Sequence, residues 1–199
     1  MYTLVGSVKS RAFRVLWMLE ELGVEYKVEG VGPHSPEILA VTPSGKLPVL
    51  KDDDDIVIDS TAIIQYLADK HNKFTFATGT IERAHQDSFT CFALDDLDGI
   101  LWNAAKHSFV FPEELRASGV KAAAQYDFAK SLETLEKRLG DNEYIMGDTF
   151  TVPDIIITHC YGWATSSKFD WPDGKLKDYV ERVRLRPAFV RAQEIRSTS

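Results

Sequence analysis

Hydrophobic and polar positions change their spacing near residue 80 of the chain. Before that point, short runs of β-branched and aromatic residues alternate with stretches in which apolar residues recur every three or four positions. After it only the helical spacing persists, as in the leucines of SLETLEKRL. The pattern therefore predicts an α/β N-terminal domain followed by an all-α C-terminal domain.

Seven elements are predicted in the N-terminal part, in the order strand, helix, strand, helix, strand, strand, helix. The predicted strands are TLVG, EYKVEGV, KLPVL and IVID, and the turn-rich KDDDD between the last two is typical of a hairpin. The first helix ends at Gly23, the usual residue for a left-handed C-cap. The second opens with Ser35 and Pro36 in N-cap order, and the third begins near Ser60.

A linker is predicted where the small and polar residues of HNKFTFATGT separate the two patterns. We place the N-terminal domain at residues 1–72, the linker at 73–79 and the all-α domain at 80–199. The aspartates of KDDDD are expected at a solvated hairpin tip. Asp98, with two further aspartates nearby, is expected on a solvated or interface face of a helix.

Composition excludes several classes of protein. A net charge of -7 and a pI near 5.3 argue against a general nucleic-acid binder, which needs a basic surface. No apolar run reaches the length of a membrane span and no signal peptide is visible, so we expect a cytoplasmic protein with no membrane partner. Cys91 and Cys160 lie far apart without CxxC spacing, which argues against a metal or dithiol site and favours two buried thiols.

The segment from residue 42 to residue 67 carries the most specific chemistry. Pro48 lies inside an apolar strand-like run, so an edge, a bulge or a cis bond is expected there. The N–H and C=O groups of Leu47 would then point outward, where an extended peptide can pair with them. Asp59 and Ser60 open a helix whose free N–H groups favour a carboxylate, while the Asp59 carboxylate suits an ammonium. Together these residues predict a receptor for an amino-acid end joined to a short peptide.

Five segments in this order resemble a glutathione S-transferase of the cytosolic superfamily, of serine type and bacterial-like. SRAFRVLWMLEELG, PSGKLPVL and DSTAIIQYL are similar to its thioredoxin-like domain, and GDTFTVPDIIITH and RVRLRPAFVRA to its helical domain. The spacing of Thr151 and Asp154 is typical of a capping box, with Pro153 tolerated in the first turn. The resemblance implies a βαβαββα thioredoxin-like domain, a helical-bundle domain and a homodimer.

The same resemblance implies which residues bind glutathione. Leu47 and a cis Pro48 would hold the cysteinyl backbone, and Asp59 and Ser60 the γ-glutamyl end. Lys46 would lie near the glycine carboxylate, or it would be an exposed turn lysine with no role in binding.

A serine at the start of the first helix is the candidate catalytic residue. The family uses Tyr, Ser or Cys there, but no cysteine precedes Cys91 and Tyr2 lies at the start of the first strand. Serine remains, and Ser10, which three residues separate from Arg14, resembles the serine-type pattern of the family. Ser7 is the alternative, although both can be plain helix caps. A thiol of pKa about 8.5 is little ionised at neutral pH, so a hydroxyl donor and a helix N-terminus would favour the thiolate.

The expected function is transfer of the glutathione thiolate to an electrophilic small molecule, a detoxification reaction with glutathione as cosubstrate and no metal. One alternative is a non-catalytic binding or assembly module of the same fold. Others are a glutathione-dependent isomerase, peroxidase or disulfide reductase, since one activated thiolate serves all of them. The run SVKSRAFR lacks the serine–cysteine pair expected of the isomerase, and an intact set of site residues favours the enzyme.

Overall fold

A computed structural model describes all 199 residues. The N-terminal elements are β1 (Tyr2–Val5), α1 (Ala12–Leu22), β2 (Tyr26–Glu29), α2 (Pro36–Leu39), β3 (Val49–Asp52), β4 (Asp55–Ile58) and α3 (Ser60–His71). The strands form one sheet in the order β2-β1-β3-β4, in which only the β1–β2 pairing is parallel. The predicted βαβαββα order and thioredoxin-like fold are confirmed.

The first helix, α1, is buried on almost every face because it packs within the first unit of the fold. Every residue from Ala12 to Leu19 is buried, and Trp17 has no exposed surface. The helix ends as predicted at Gly23, whose φ of 67° is a left-handed conformation that glycine adopts without steric cost. Its N–H closes the last turn by donating to the carbonyl of Leu19.

The rest of the chain is helical, as the sequence predicted. The helices are α4 (Ile81–Phe92), α5 (Ile100–Ala105), α6 (Val120–Leu139), α7 (Val152–Ser166), α8 (Lys175–Arg184) and α9 (Pro187–Thr198). Two π-helical segments, Ala93–Gly99 and Lys106–Val110, flank α5, and one 3-10 turn precedes α6. The predicted capping box at Thr151 and Asp154 is present at the start of α7. None of these helices combines the length and the apolar character needed to cross a bilayer.

The chain forms two compact units, one of Met1–Ala77 with Arg184–Ser199 and the other of Thr78–Val183. The bounds of 1–72, 73–79 and 80–199 stay a prediction. Within the first unit, α9 packs against α1. The Phe189 ring meets the rings of Phe13 and Trp17 with centroids 5.6 and 4.8 Å apart. Aromatic packing between α1 and α9 therefore ties the end of the chain to the N-terminal unit.

A carboxylate of α1 is clamped by the segment that leads into α9. Glu21 accepts hydrogen bonds from Trp17 Nε1 at 2.9 Å and from Arg186 Nε and Nη2 at 2.7 and 2.8 Å. Its side chain is only 6% exposed, so this bidentate pair is poorly screened by solvent.

Replacing Glu21 with glutamine should lower the free energy of unfolding by about 1 to 2 kcal/mol, because the half-buried guanidinium of Arg186 loses its charged partner. Urea denaturation of the purified protein measures this change. Glu25→Gln is the matched control, since Glu25 is exposed and has no ion-pair partner. Equal stability of the two variants would show that the clamp contributes nothing.

The expected solvent exposure of two side chains, Cys91 and Asp98, is wrong. Cys91 is exposed, because it lies beside the buried Thr90 on α4 and so points away from the core, whereas Cys160 is buried. Asp98 is only 6% exposed, because the π-helical segment turns it inward from the solvated face expected for it.

The hairpin tip is solvated at Asp53 and Asp54 as expected, but Asp52 is buried. Its carboxylate accepts hydrogen bonds from Tyr66 Oη at 2.6 Å and from Lys70 Nζ, both on α3. The bond from Lys70 is the main reason that the pKa of Asp52 lies below its usual value. This cluster joins β3 to α3, so the first of the four aspartates belongs to the packing of the fold.

Candidate functional site

Three segments of the first unit meet around the start of α1. Gly6, at the end of β1, has a φ of 132°, and a Cβ built there would lie 3.0 Å from a methyl carbon of Leu47. Only glycine therefore lets the turn between β1 and α1 approach the loop before β3. A second contact joins α1 to α3: Arg14 Nη1, in the first turn of α1, lies 3.4 Å from Ser60 Oγ at the start of α3. The serine turn, the proline loop and the α3 N-terminus form one site.

The proline loop, residues 46–48, presents an unpaired backbone N–H and an unpaired C=O, both of Leu47. The Leu47–Pro48 bond is cis, one of the three possibilities that the sequence left open and the one that the resemblance implied. Pro48 is buried and Leu47 is half-buried, and β3 begins only at Val49. The N–H and C=O groups of Leu47 consequently have no hydrogen-bond partner within the protein. An extended peptide lying along this loop can satisfy both groups as an added strand does.

The start of α3 is a strained cap. Asp59 has φ 71° and ψ 125°, an unfavourable backbone conformation that costs about 1 to 3 kcal/mol and is typical of binding sites. Its Oδ1 accepts from the N–H groups of Thr61 at 2.8 Å and Ala62 at 3.2 Å. The second carboxylate oxygen has no partner, and neither has the backbone N–H of Ser60. An ammonium and a carboxylate can both be bound here.

Arg14 is a member of the site that the sequence analysis missed as a binding residue. Its side chain is fully buried, and its guanidinium donates to the hydroxyl of the buried Ser60. This places a permanent positive charge next to the positive end of α3, where both favour an anion. The signal in the sequence was one arginine inside the apolar run AFRVLWML, since a buried charge needs a partner or a ligand.

The two candidate serines are joined by a hydrogen bond from the side chain of Ser10 to the backbone of Ser7. Ser10 Oγ donates to the carbonyl of Ser7 at 2.7 Å and accepts from the N–H of Ala12 at 3.1 Å, so it caps the first turn of α1. Ser7 Oγ accepts a long bond of 3.4 Å from the N–H of Lys9 and donates none. Ser10 can donate to a ligand only after its proton leaves the Ser7 carbonyl, whereas the Ser7 proton is already available.

The side chain of Lys46 makes no hydrogen bond or ion pair with the other predicted site residues. It is exposed on the turn before Leu47, and its ammonium has no ion-pair partner. The remaining predicted residues lie on the three converging segments. The arrangement offers two peptide groups for an extended ligand, charges for an amino-acid end, and hydroxyls at a helix N-terminus that stabilise an anion.

Comparisons with known proteins agree with this architecture. The profile described as glutathione S-transferase, N-terminal domain, matches residues 4–75, and that of the C-terminal domain matches residues 118–185. Glutathione S-transferase 1 of Schizosaccharomyces pombe is 30% identical over 193 residues, covering 90% of this chain and 82% of that protein. The glutathione transferase URE2P6 of Phanerochaete chrysosporium, solved with oxidized glutathione, superposes with a TM-score of 0.85 at 27% identity, covering 99% and 96% of the two chains.

A second group of relatives consists of longer proteins. Elongation factor 1-gamma 2 of Oryza sativa is 30% identical over 162 residues, which cover 77% of this chain. The match spans only 38% of the elongation factor's length. The predicted family is confirmed by the two profiles and by the transferase relative. The chain belongs to the glutathione S-transferase family.

Proposed function

We propose that this protein is a glutathione transferase, which favours ionisation of the glutathione thiol and transfers the sulfur to an electrophilic small molecule. The observation that carries the proposal is the pair of unpaired backbone groups, N–H and C=O, of Leu47 before the cis proline. They lie in the same unit as the serine turn and the N-terminus of α3. Glutathione is a tripeptide whose parts match these features: its cysteinyl backbone matches Leu47, its thiol the serine turn, and its γ-glutamyl end the N-terminus of α3.

Binding of glutathione is assigned to residues of the first unit. The N–H and C=O groups of Leu47 pair with the cysteinyl backbone. The N–H and hydroxyl of Ser60 bind the γ-glutamyl carboxylate, whose charge the buried Arg14 balances. The unpartnered oxygen of Asp59 accepts from the glutamyl ammonium. Lys46, which is exposed one residue before Leu47, is assigned to the glycine carboxylate at the other end of the tripeptide.

Activation of the thiol is assigned to Ser10. On binding, its hydroxyl proton turns from the Ser7 carbonyl to the sulfur, while the Ala12 N–H keeps the oxygen in place. A hydrogen bond to a charged group contributes about 1.5 to 3 kcal/mol, which corresponds to a thiol pKa lower by about one to two units. The thiol proton leaves to solvent, and the sulfur forms a bond to carbon as a leaving group departs with its electron pair.

Replacing Ser60 with alanine should weaken glutathione binding by about tenfold, because a hydrogen bond to a carboxylate is lost next to a buried cation. Isothermal titration calorimetry with reduced glutathione measures the affinity of each variant. The matched control is Thr80→Ala, which removes a helix N-terminal hydroxyl from α4, in the other unit. If the two variants bind glutathione equally well, the γ-glutamyl end is held elsewhere.

The second candidate function is that of a non-catalytic binding or assembly module. It is favoured by the similarity to elongation factor 1-gamma, of whose length the match covers 38%. The two functions separate in one experiment, in which glutathione binding and conjugation of several electrophiles are measured on the same sample. Binding without turnover of any electrophile supports the module, and turnover supports the enzyme.

We also infer from the family resemblance that the protein acts as a homodimer in the cytoplasm. Neither property follows from the residues of the site itself.

A further inference from the structure

We propose that Asp98, His159 and Cys160 form a binding site for a zinc ion inside the unit Thr78–Val183. One carboxylate oxygen, one imidazole nitrogen and the thiol sulfur of these residues all lie within 4.8 Å of one another. The three residues are not part of the glutathione site, whose residues belong to the other unit. The proposal is therefore independent of the proposed transferase activity.

Local backbone geometry brings the three side chains together. Asp98 lies in the π-helical segment Ala93–Gly99, between α4 and α5. Such segments are rare, and they are frequent at functional sites because the extra residue in the turn redirects a side chain. His159 and Cys160 are consecutive residues of α7. The π-helical turn thus aims a carboxylate from one helix at an imidazole and a thiol on another.

Burial makes this cluster unlike an ordinary group of surface residues. Asp98 is 6% exposed and Cys160 has no exposed surface, while His159 is half-buried. Ionised carboxylates are rarely buried unless a cation or several donors compensate their charge. A divalent cation bound to one carboxylate and one thiolate gives a site of zero net charge, which a protein interior accommodates at a much lower desolvation penalty.

The chemistry of the donor set selects the metal. Zinc binds thiolate, imidazole and carboxylate ligands, whereas magnesium and calcium require oxygen ligands. Ligands about 2.0 to 2.3 Å from a tetrahedral zinc ion lie about 3.5 Å apart. Since the three ligand atoms lie within 4.8 Å of one another, side-chain rotation must shorten their separations by at most about 1.3 Å. With three protein ligands, a water molecule would fill the fourth position of the tetrahedron.

Cobalt titration of the whole protein tests the site, because cobalt occupies zinc sites and gives a thiolate-to-metal absorption band in the near ultraviolet. The experiment is run without glutathione, whose own thiol would bind the metal. We expect one equivalent of Co²⁺ to produce the band and one equivalent of Zn²⁺ to abolish it. Because the ligands must lose their protons, binding should weaken as the pH falls.

Variants distinguish this site from the other thiol. Cys160→Ser should remove the thiolate band, whereas Cys91→Ser, which changes the exposed cysteine, should leave it unchanged. His159→Gln should weaken Co²⁺ binding at least tenfold. Because His159 is half-buried, it tolerates substitution better than the fully buried Cys160. Circular dichroism verifies that the Cys160→Ser and His159→Gln variants are folded. The proposal is overturned if wild-type protein gives no band, if Cys91→Ser removes it, or if His159→Gln binds Co²⁺ unchanged. Any of these results would leave the three residues without a metal-binding role.

Discussion

Replacing Ser10 with alanine should lower the rate of glutathione conjugation about 10- to 100-fold at about pH 6.5. The backbone N–H of Ala12 holds the hydroxyl oxygen of Ser10 at the first turn of α1 at 3.1 Å, a shorter bond than the one from Lys9 to the Ser7 hydroxyl. Losing its hydrogen bond to the sulfur raises the thiol pKa toward the unperturbed value of about 8.5, so less thiolate is present near neutrality. Stopped-flow or steady-state kinetics with saturating glutathione measure the loss.

The pH dependence of the Ser10 effect separates activation from a change in folding. Above the unperturbed thiol pKa the thiolate forms without help, so the difference between wild type and Ser10→Ala should shrink as the pH rises. A structural defect would lower the rate by the same factor at every pH. Ser7→Ala ranks the two serines, because Ser7 donates no hydrogen bond within the protein. A large loss in Ser7→Ala together with an unchanged Ser10→Ala would transfer the role to Ser7.

Replacing Asp154 with alanine should lower the free energy of unfolding by at least about 3 kcal/mol, because several buried donors lose their acceptor at once. The fully buried carboxylate accepts from Ile145 N at 3.0 Å, Thr151 N at 2.7 Å and Tyr179 Oη at 2.6 Å. It also accepts from the Thr151 hydroxyl. Burial holds the pKa of Tyr179 well above its usual value, with the Asp154 charge adding to the effect, so this hydroxyl remains a donor.

Chemical denaturation followed by circular dichroism measures the loss at Asp154. Asp148→Ala is the control, since Asp148 lies in the same approach to α7 but is exposed and unpaired. If Asp154→Ala does not fold, Thr151→Ala provides the milder change, with an expected loss of about 1 to 2 kcal/mol. A stability of Asp154→Ala within error of the control would mean that the capping box does not anchor α7.

The order of the N-terminal elements and the start of α7 could be predicted because both depend on local chemistry. Gly23 stops α1 for steric reasons, and the Thr151–Asp154 pair satisfies its own backbone N–H groups. A proline in a run that otherwise indicates a strand left an edge, a bulge or a cis bond open, and the family resemblance implied the cis bond that the structure shows. Each of these signals is contained within a few consecutive residues.

What the sequence did not indicate depends on residues far apart in the chain. Arg14 is part of the site only because α1 and α3 pack together, and α9 joins the first unit only because Phe189 meets the aromatic rings of α1. The ligand atoms of Asp98 and Cys160 come within 4.8 Å of each other through a π-helical turn that no local pattern predicted. Periodicity describes which face of a helix is buried, but it does not identify the partner.

The pKa of the glutathione thiol in the bound complex tests most directly whether the start of α1 activates the cosubstrate. Ultraviolet titration of thiolate absorbance measures it for wild type and Ser10→Ala, each saturated with glutathione. We expect the wild-type value to lie about one to two units below the unperturbed value of about 8.5, and most of that shift to be lost in the variant. An identical thiol pKa in wild type and Ser10→Ala would contradict the assignment of Ser10 as the activating residue.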